Sequence, residues 1–82
     1  MREYSNIPHH FGLALQQMRH AAGLSQEVLA ERAGIDRSYA SLLEQGKRQP
    51  SIKILFQLAD ALNVPVADFI QILERDCPHL NP

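Results

Sequence analysis

The sequence predicts an all-α fold in which five helices form one domain. Apolar residues recur at intervals of three and four along most of the chain, as they do on the buried face of a helix. Residues that favour helix starts and ends, such as Ser25, Gly34, Gly46 and Ser51, stand between these segments. A chain of 82 residues is one domain at most. It buries only about 60–65% of its unfolded surface, so we expect modest stability unless the protein oligomerises.

The first helix is expected to begin at Pro8, because a missing amide costs nothing in a first turn, and to end at Gly23. Residues 1–7 show no periodicity and are predicted to form a flexible N-terminal arm. The apolar stripe of this helix should pack on the helices that follow. Its members are Phe11, Leu15, Met18 and Ala22.

Two short helices joined by a tight turn follow. Ser25 is suited to cap a helix over 26–32, and Gly34 stands where the chain must reverse with positive φ. Asp36 is suited to cap the next helix, over 37–45. The positions expected to face the core are Leu29, Ala30, Ala33, Ala40 and Leu43.

Two helices joined by a short, glycine-containing turn describe the helix-turn-helix, whose second helix enters the major groove of DNA. From Phe11 to Leu73, through GLSQEVLAERAGIDRSYASLLEQGKRQPS and then LADALNV, the sequence resembles the lambda-repressor and Cro type of DNA-binding domain, the XRE family. It is also somewhat similar to the controller proteins of restriction-modification systems. The resemblance implies a compact five-helix repressor-like bundle that binds double-stranded DNA through a recognition helix at 36–45.

Four outward residues of the recognition helix are the candidates for reading bases. The planar fork of Arg37 suits the O6 and N7 atoms of guanine. Ser38 and Ser41 can contact either a base or a phosphate. Leu42, where many relatives carry glutamine or arginine, offers an apolar contact to a thymine methyl group.

Phosphate contacts are expected beside this helix, because positive charge is concentrated there. Residues 37–53 carry four cations against one carboxylate, a balance of +3, whereas residues 54–76 carry one cation against four carboxylates, a balance of -3. The alternative is an ordinary polar turn, and for Tyr39 simple packing. The phosphate-binding candidates are Tyr39, Lys47, Arg48, Gln49 and Ser51, and, by the resemblance alone, Gln26.

The resemblance also implies a structural ion pair. In repressor-like domains an arginine of the first helix pairs with the glutamate near the end of the recognition helix. The corresponding residues here are Arg19 and Glu44. If the pair is buried, removal of one partner should cost roughly 3–5 kcal/mol.

The C-terminal part contains more apolar residues than a small core can hold. A fourth helix over 52–62 is expected to face inward at Ile52, Leu55, Leu58, Ala59 and Leu62, and Pro65 can open a fifth. The surplus predicts a homodimer that sets two recognition helices roughly 34–36 Å apart on a palindromic operator. The interface candidates are Ile54, Phe56, Ile70, Ile72 and Leu73.

Other functional classes find little support in the sequence. It contains no motif typical of an enzyme, and we expect no cofactor. Cys77 and His79, in a tail at 76–82, supply only two of the four ligands that zinc usually takes, so no metal site is predicted. The sequence shows no signal peptide and no membrane span, so a cytoplasmic protein is expected. The DNA-binding domain with its C-terminal dimerisation helices is expected to span 8–75. The alternative function is an antitoxin that caps a partner protein with its apolar C-terminal surface and represses its own promoter.

Overall fold

The computed structural model describes residues 4 and 6–76 and contains five helices and no strand in that part of the chain. The predicted all-α, five-helix fold is confirmed, and the helix bounds differ from the prediction by only a residue or so. The helices are α1 (Ile7–Ala21), α2 (Gln26–Ala33), α3 (Arg37–Glu44), α4 (Ile52–Leu62) and α5 (Val66–Asp76).

Three of the helices begin with a polar N-cap residue in extended conformation. The Ser25 hydroxyl accepts a hydrogen bond from the Val28 amide at the start of α2, at 3.1 Å. The Ser51 hydroxyl accepts one from the Ile54 amide at the start of α4, also at 3.1 Å. Asp36 holds the N-cap position of α3, but the expected side-chain cap is absent. Extended backbone at an N-cap permits this hydrogen bond and does not enforce it.

The reversal between α2 and α3 depends on a glycine. Gly34 has φ +72°, in the left-handed region, and its amide donates to the Glu31 carbonyl at 3.2 Å. The Ile35 amide donates to the Ala30 carbonyl at 3.0 Å. Because these two bonds satisfy carbonyl groups at the end of α2, the chain can turn directly into α3.

The core lies where α1 packs on α3 and α5, and where α4 packs on α2 and α5. At its centre the rings of Phe11 and Phe69 are stacked, with centroids 5.2 Å apart. This contact ties the N-terminal half of α1 to α5. The largest of the almost fully buried side chains are Phe11, Leu15, Leu29, Leu43, Leu58 and Phe69.

Two residues assigned to the core by periodicity are exposed. Ile52 is 72% exposed, and the buried stripe of α4 begins only at Leu55. Ala22 follows the last residue of α1, where the helix no longer directs it inward. Both residues lie at helix ends. There the apolar stripe predicted from spacing extends beyond the part of the helix that its neighbours bury.

Some predictions concern residues outside the described part of the chain. These are residues 1–3 and 5 of the expected arm, and residues 77–82 of the expected tail, including Cys77 and His79. Across the residues that are described, no helix is long and apolar enough to cross a membrane. The same residues contain no group of three or more metal-ligating side chains.

Candidate nucleic-acid interface

The rear face of α3 lies against the backbone of α1. A Cβ atom added at Gly12 would lie 2.5 Å from the Glu44 carbonyl oxygen and 2.7 Å from that of Leu43. Only a residue without a side chain therefore allows α1 to pass α3 this closely. The sequence interpretation did not assign a role to Gly12. The available signal was an isolated glycine inside an amphipathic helix, which often marks a close contact.

An ion pair between Glu44 and Arg19 also holds the rear face of α3 against α1. Glu44 is 5% exposed, and its carboxylate receives two hydrogen bonds from Arg19, from Nε at 2.6 Å and from Nη2 at 3.0 Å. The remaining terminal nitrogen of Arg19, Nη1, donates to the Leu24 carbonyl at 2.9 Å. The hydrogen bond to Glu44 raises the pKa of Arg19. The structure thus brings together the two residues that the resemblance paired.

Two glutamines complete the surroundings of Glu44. Gln26 Nε2 donates to the carboxylate oxygen Oε1 at 3.0 Å, and Gln16 Nε2 donates to the backbone carbonyl at 3.1 Å. No buried side-chain nitrogen or oxygen in the described residues lacks a hydrogen-bond partner. Gln26 retains a second N–H and its carbonyl oxygen for other partners. Sequence reasoning missed the role of Gln16, because nothing in the spacing indicates which carbonyl it reaches.

The front face of α3 is open to solvent. Arg37, Ser38 and Gln45 are exposed, whereas Ser41 and Leu42 are half-buried. The Ser41 hydroxyl accepts a hydrogen bond from Gln45 Nε2 at 2.7 Å and can still donate its own proton. All four base-reading candidates therefore lie on one short helix whose rear face is fixed.

The residues after α3 form an exposed, positively charged edge. Lys47, Arg48 and Gln49 are exposed, and Arg48 Nη1 donates to the Lys47 carbonyl at 3.3 Å. Ser51 is exposed, and its hydroxyl is engaged by the α4 amide described above. Tyr39 is half-buried and packs against the core, in agreement with the packing alternative for its ring.

The proposed dimer residues divide into two groups. Phe56 and Ile70 are 56% and 42% exposed. Ile54, Ile72 and Leu73 are half-buried and pack against the core of their own chain, so only part of their surface is available. Ile52, one helical turn before Phe56 on α4, adds a further exposed apolar side chain.

Comparison with known proteins identifies the family. The profile described as Helix-turn-helix matches residues 15–69, which include α2, the turn and α3. The chain belongs to the helix-turn-helix family. The resemblance to XRE-type regulators is thereby confirmed. Of the proposed dimer residues, Ile70, Ile72 and Leu73 lie beyond the matched segment.

Relatives of this helix-turn-helix protein are regulators by name. A Rhodospirillum rubrum protein, described as an uncharacterized transcriptional regulator in the ATPase CF(0) region, is 35% identical over 77 residues, or 94% of this chain and 71% of that protein. The restriction-modification controller protein C.AhdI from Aeromonas hydrophila is 40% identical, covers 77% of this chain and 96% of its own, and superimposes with a TM-score of 0.75. The clp gene regulator ClgR from C. glutamicum is 28% identical, covers 92% and 96%, and gives a TM-score of 0.81.

Proposed function

We propose that this protein is a sequence-specific DNA-binding transcriptional regulator that acts as a homodimer on a palindromic operator, in the cytoplasm and without catalysis. The observation that carries the proposal is the contrast between the two sides of α3. Its rear is fixed by the Gly12 contact and by the Arg19–Glu44 pair, while its front presents polar side chains, of which Arg37 and Ser38 are exposed. A rigid helix with a solvent-facing polar surface suits insertion into the major groove.

The proposed division of roles follows from position and chemistry. Arg37 reads guanine, Ser38 and Ser41 contact a base or a phosphate, and Leu42 contacts a thymine methyl group. Phosphates bind along the positively charged edge and fix the orientation of the helix. The proposed phosphate-binding residues are Gln26, Tyr39, Lys47, Arg48, Gln49 and Ser51.

For Gln26 the structure supports a specific arrangement. One of its amide hydrogens is directed to Glu44, so the side chain is held in place before DNA arrives. The second amide hydrogen is the one that donates to a phosphate oxygen in this proposal. A donor that is already ordered loses less conformational entropy on binding than a free glutamine.

Dimerisation is proposed through the outer surface of α4 and α5. Phe56, Ile70 and Ile52 are large apolar side chains with substantial exposure on these two helices, and burial against a second copy removes them from water. The two-fold axis would place two recognition helices roughly 34–36 Å apart, on one side of the duplex. The proposed domain bounds of 8–75 include both the recognition helix and the dimer helices. A dimer on a promoter would block polymerase, and one just upstream would recruit it.

The decisive experiment is footprinting on the DNA upstream of the protein's own gene, with affinity followed against salt concentration. A protected palindrome is expected. The affinity should fall on a log-log plot with a slope of roughly -0.9 per phosphate contacted. Equal binding to all sequences at low salt would contradict sequence-specific regulation.

A second candidate function is an antitoxin or protein-interaction module. The exposed apolar side chains of α4 and α5 favour it equally well, since a partner protein could cover them in place of a second copy. Analytical ultracentrifugation of the purified protein separates the two candidates. A soluble dimer supports the homodimeric regulator. A monomer or an aggregate that becomes soluble only with the product of a neighbouring gene supports the antitoxin.

A further inference from the structure

Asp36 differs from the other two polar N-cap residues of the molecule. Ser25 and Ser51 each use the side chain to accept a hydrogen bond from a helix amide, whereas the Asp36 side chain accepts none. Among the described residues, the carboxylate of Asp36 forms no ion pair with Arg37 or with another cation. Asp36 is also exposed, so its carboxylate lies at the leading end of the recognition helix with neither a capping bond nor an ion pair.

The charge around Asp36 makes its position unusual. Residues 36–53 contain two acidic residues, Asp36 and Glu44, among four cations. Glu44 is buried and bound to Arg19, so Asp36 is the acidic residue of this segment that keeps an uncompensated charge at the surface. Near DNA this charge repels phosphates whatever the base sequence.

The chemistry of the major groove limits what an exposed carboxylate can bind. It only accepts hydrogen bonds, and the groove offers two donors, the N4 amino group of cytosine and the N6 amino group of adenine. Adenine presents the acceptor N7 beside its amino group, and N7 repels the second carboxylate oxygen. Cytosine has no acceptor at that edge. Guanine and thymine present acceptors alone, apart from the thymine methyl group.

We propose that Asp36 is a base-reading residue that selects cytosine, next to the guanine selected by Arg37. This inference rests on the proposed DNA-binding function and adds a specificity-determining residue to it. Specificity at that position then comes both from the hydrogen bond to cytosine and from repulsion by the other bases.

The test is a selection from duplexes randomised over the half-site, performed with the parent, Asp36→Asn and Asp36→Ala, followed by sequencing of the bound DNA. The parent should prefer cytosine about tenfold at one position per half-site. Asp36→Asn should change that preference to adenine, because an amide can pair with both N6 and N7. Asp36→Ala should show no preference there. Urea unfolding of each variant gives its folded fraction, so that selection is compared between equal amounts of folded protein.

Three outcomes would overturn the proposal. Identical base preferences in all three proteins would mean that Asp36 contacts no base. Tighter binding of Asp36→Asn to every sequence equally would reduce its role to repulsion of phosphates. Equal loss of preference at all positions in both variants would indicate a purely structural role. If the parent itself selected no sequence, the proposed function would fail, which is distinguishable from each of these results.

Discussion

The two sides of α3 are built according to different physical requirements. The rear side packs against the backbone of α1 at Gly12, and its Glu44 carboxylate is hydrogen-bonded to Arg19 and Gln26. The front side carries Arg37 and Ser38, which are exposed and make no hydrogen bond that the fold requires. If α3 reads bases as proposed, stability and base recognition are separable within its eight residues. Substitutions on the rear should alter folding, whereas those on the front should alter DNA preference.

The largest effect is expected from Arg19→Met. The variant leaves the Glu44 carboxylate buried without its cation, which should lower the free energy of unfolding by roughly 3–5 kcal/mol. Urea unfolding at fixed protein concentration measures the change. The control is the double variant with Glu44→Leu, in which no buried charge remains and much of the stability should return. A loss below about 1 kcal/mol in the single variant would indicate a weakly coupled surface pair.

Gly12→Ala should be the next most severe. The new Cβ meets the carbonyl oxygens of Leu43 and Glu44, which are backbone atoms that cannot rotate away, so α1 and α3 must separate. Overpacking of this kind typically costs roughly 1–3 kcal/mol. Gln17→Ala on the exposed side of the same helix is the control and should change stability little. Equal thermal stability of both variants would contradict the close contact.

Arg37→Ala tests the front side. We expect unfolding to change by less than about 0.5 kcal/mol, because the side chain is exposed. Discrimination for guanine at one position should weaken by roughly 1–3 kcal/mol in competition binding assays. Arg32→Ala removes the same charge from an exposed site on α2 and serves as the control. If both variants kept the parent's base preference, Arg37 would not be a reader.

The smallest effect is expected from Arg48→Ala, on the positively charged edge. Loss of one phosphate contact should weaken binding to all sequences alike and reduce the magnitude of the salt slope by roughly 0.9. The slope measured for Arg32→Ala provides the baseline for removal of a positive charge elsewhere. A change in base preference after Arg48→Ala would show that this edge also reads sequence.

Local rules account for what the sequence predicted well. Ser25, Gly34 and Ser51 determine helix ends through bonds that span a few residues, so the helix-turn-helix could be located without a structure. The base-reading and phosphate-binding roles of individual residues stay predictions. Their positions on an exposed face and edge are compatible with those roles.

Long-range contacts account for what the sequence did not predict. The approach of α1 to α3 at Gly12 and the bond from Gln16 to Glu44 join residues far apart in the chain, and periodicity within one helix carries no information about them. Exposure of Ile52 was missed for a related reason. Spacing indicates which face of a helix is apolar, and it does not indicate how far along the helix its neighbours extend.

Phe11 and Gly12 are consecutive residues, yet one contacts α5 and the other contacts α3. If α5 belongs to the dimer surface, a single stiff segment of α1 connects the two-fold axis to each recognition helix. If one half-site is displaced by one base pair, roughly 3.4 Å along the duplex, the recognition helix can then reach it only if this segment distorts or the DNA bends. Operators with an added or deleted central base pair should consequently be bound by one subunit at a time.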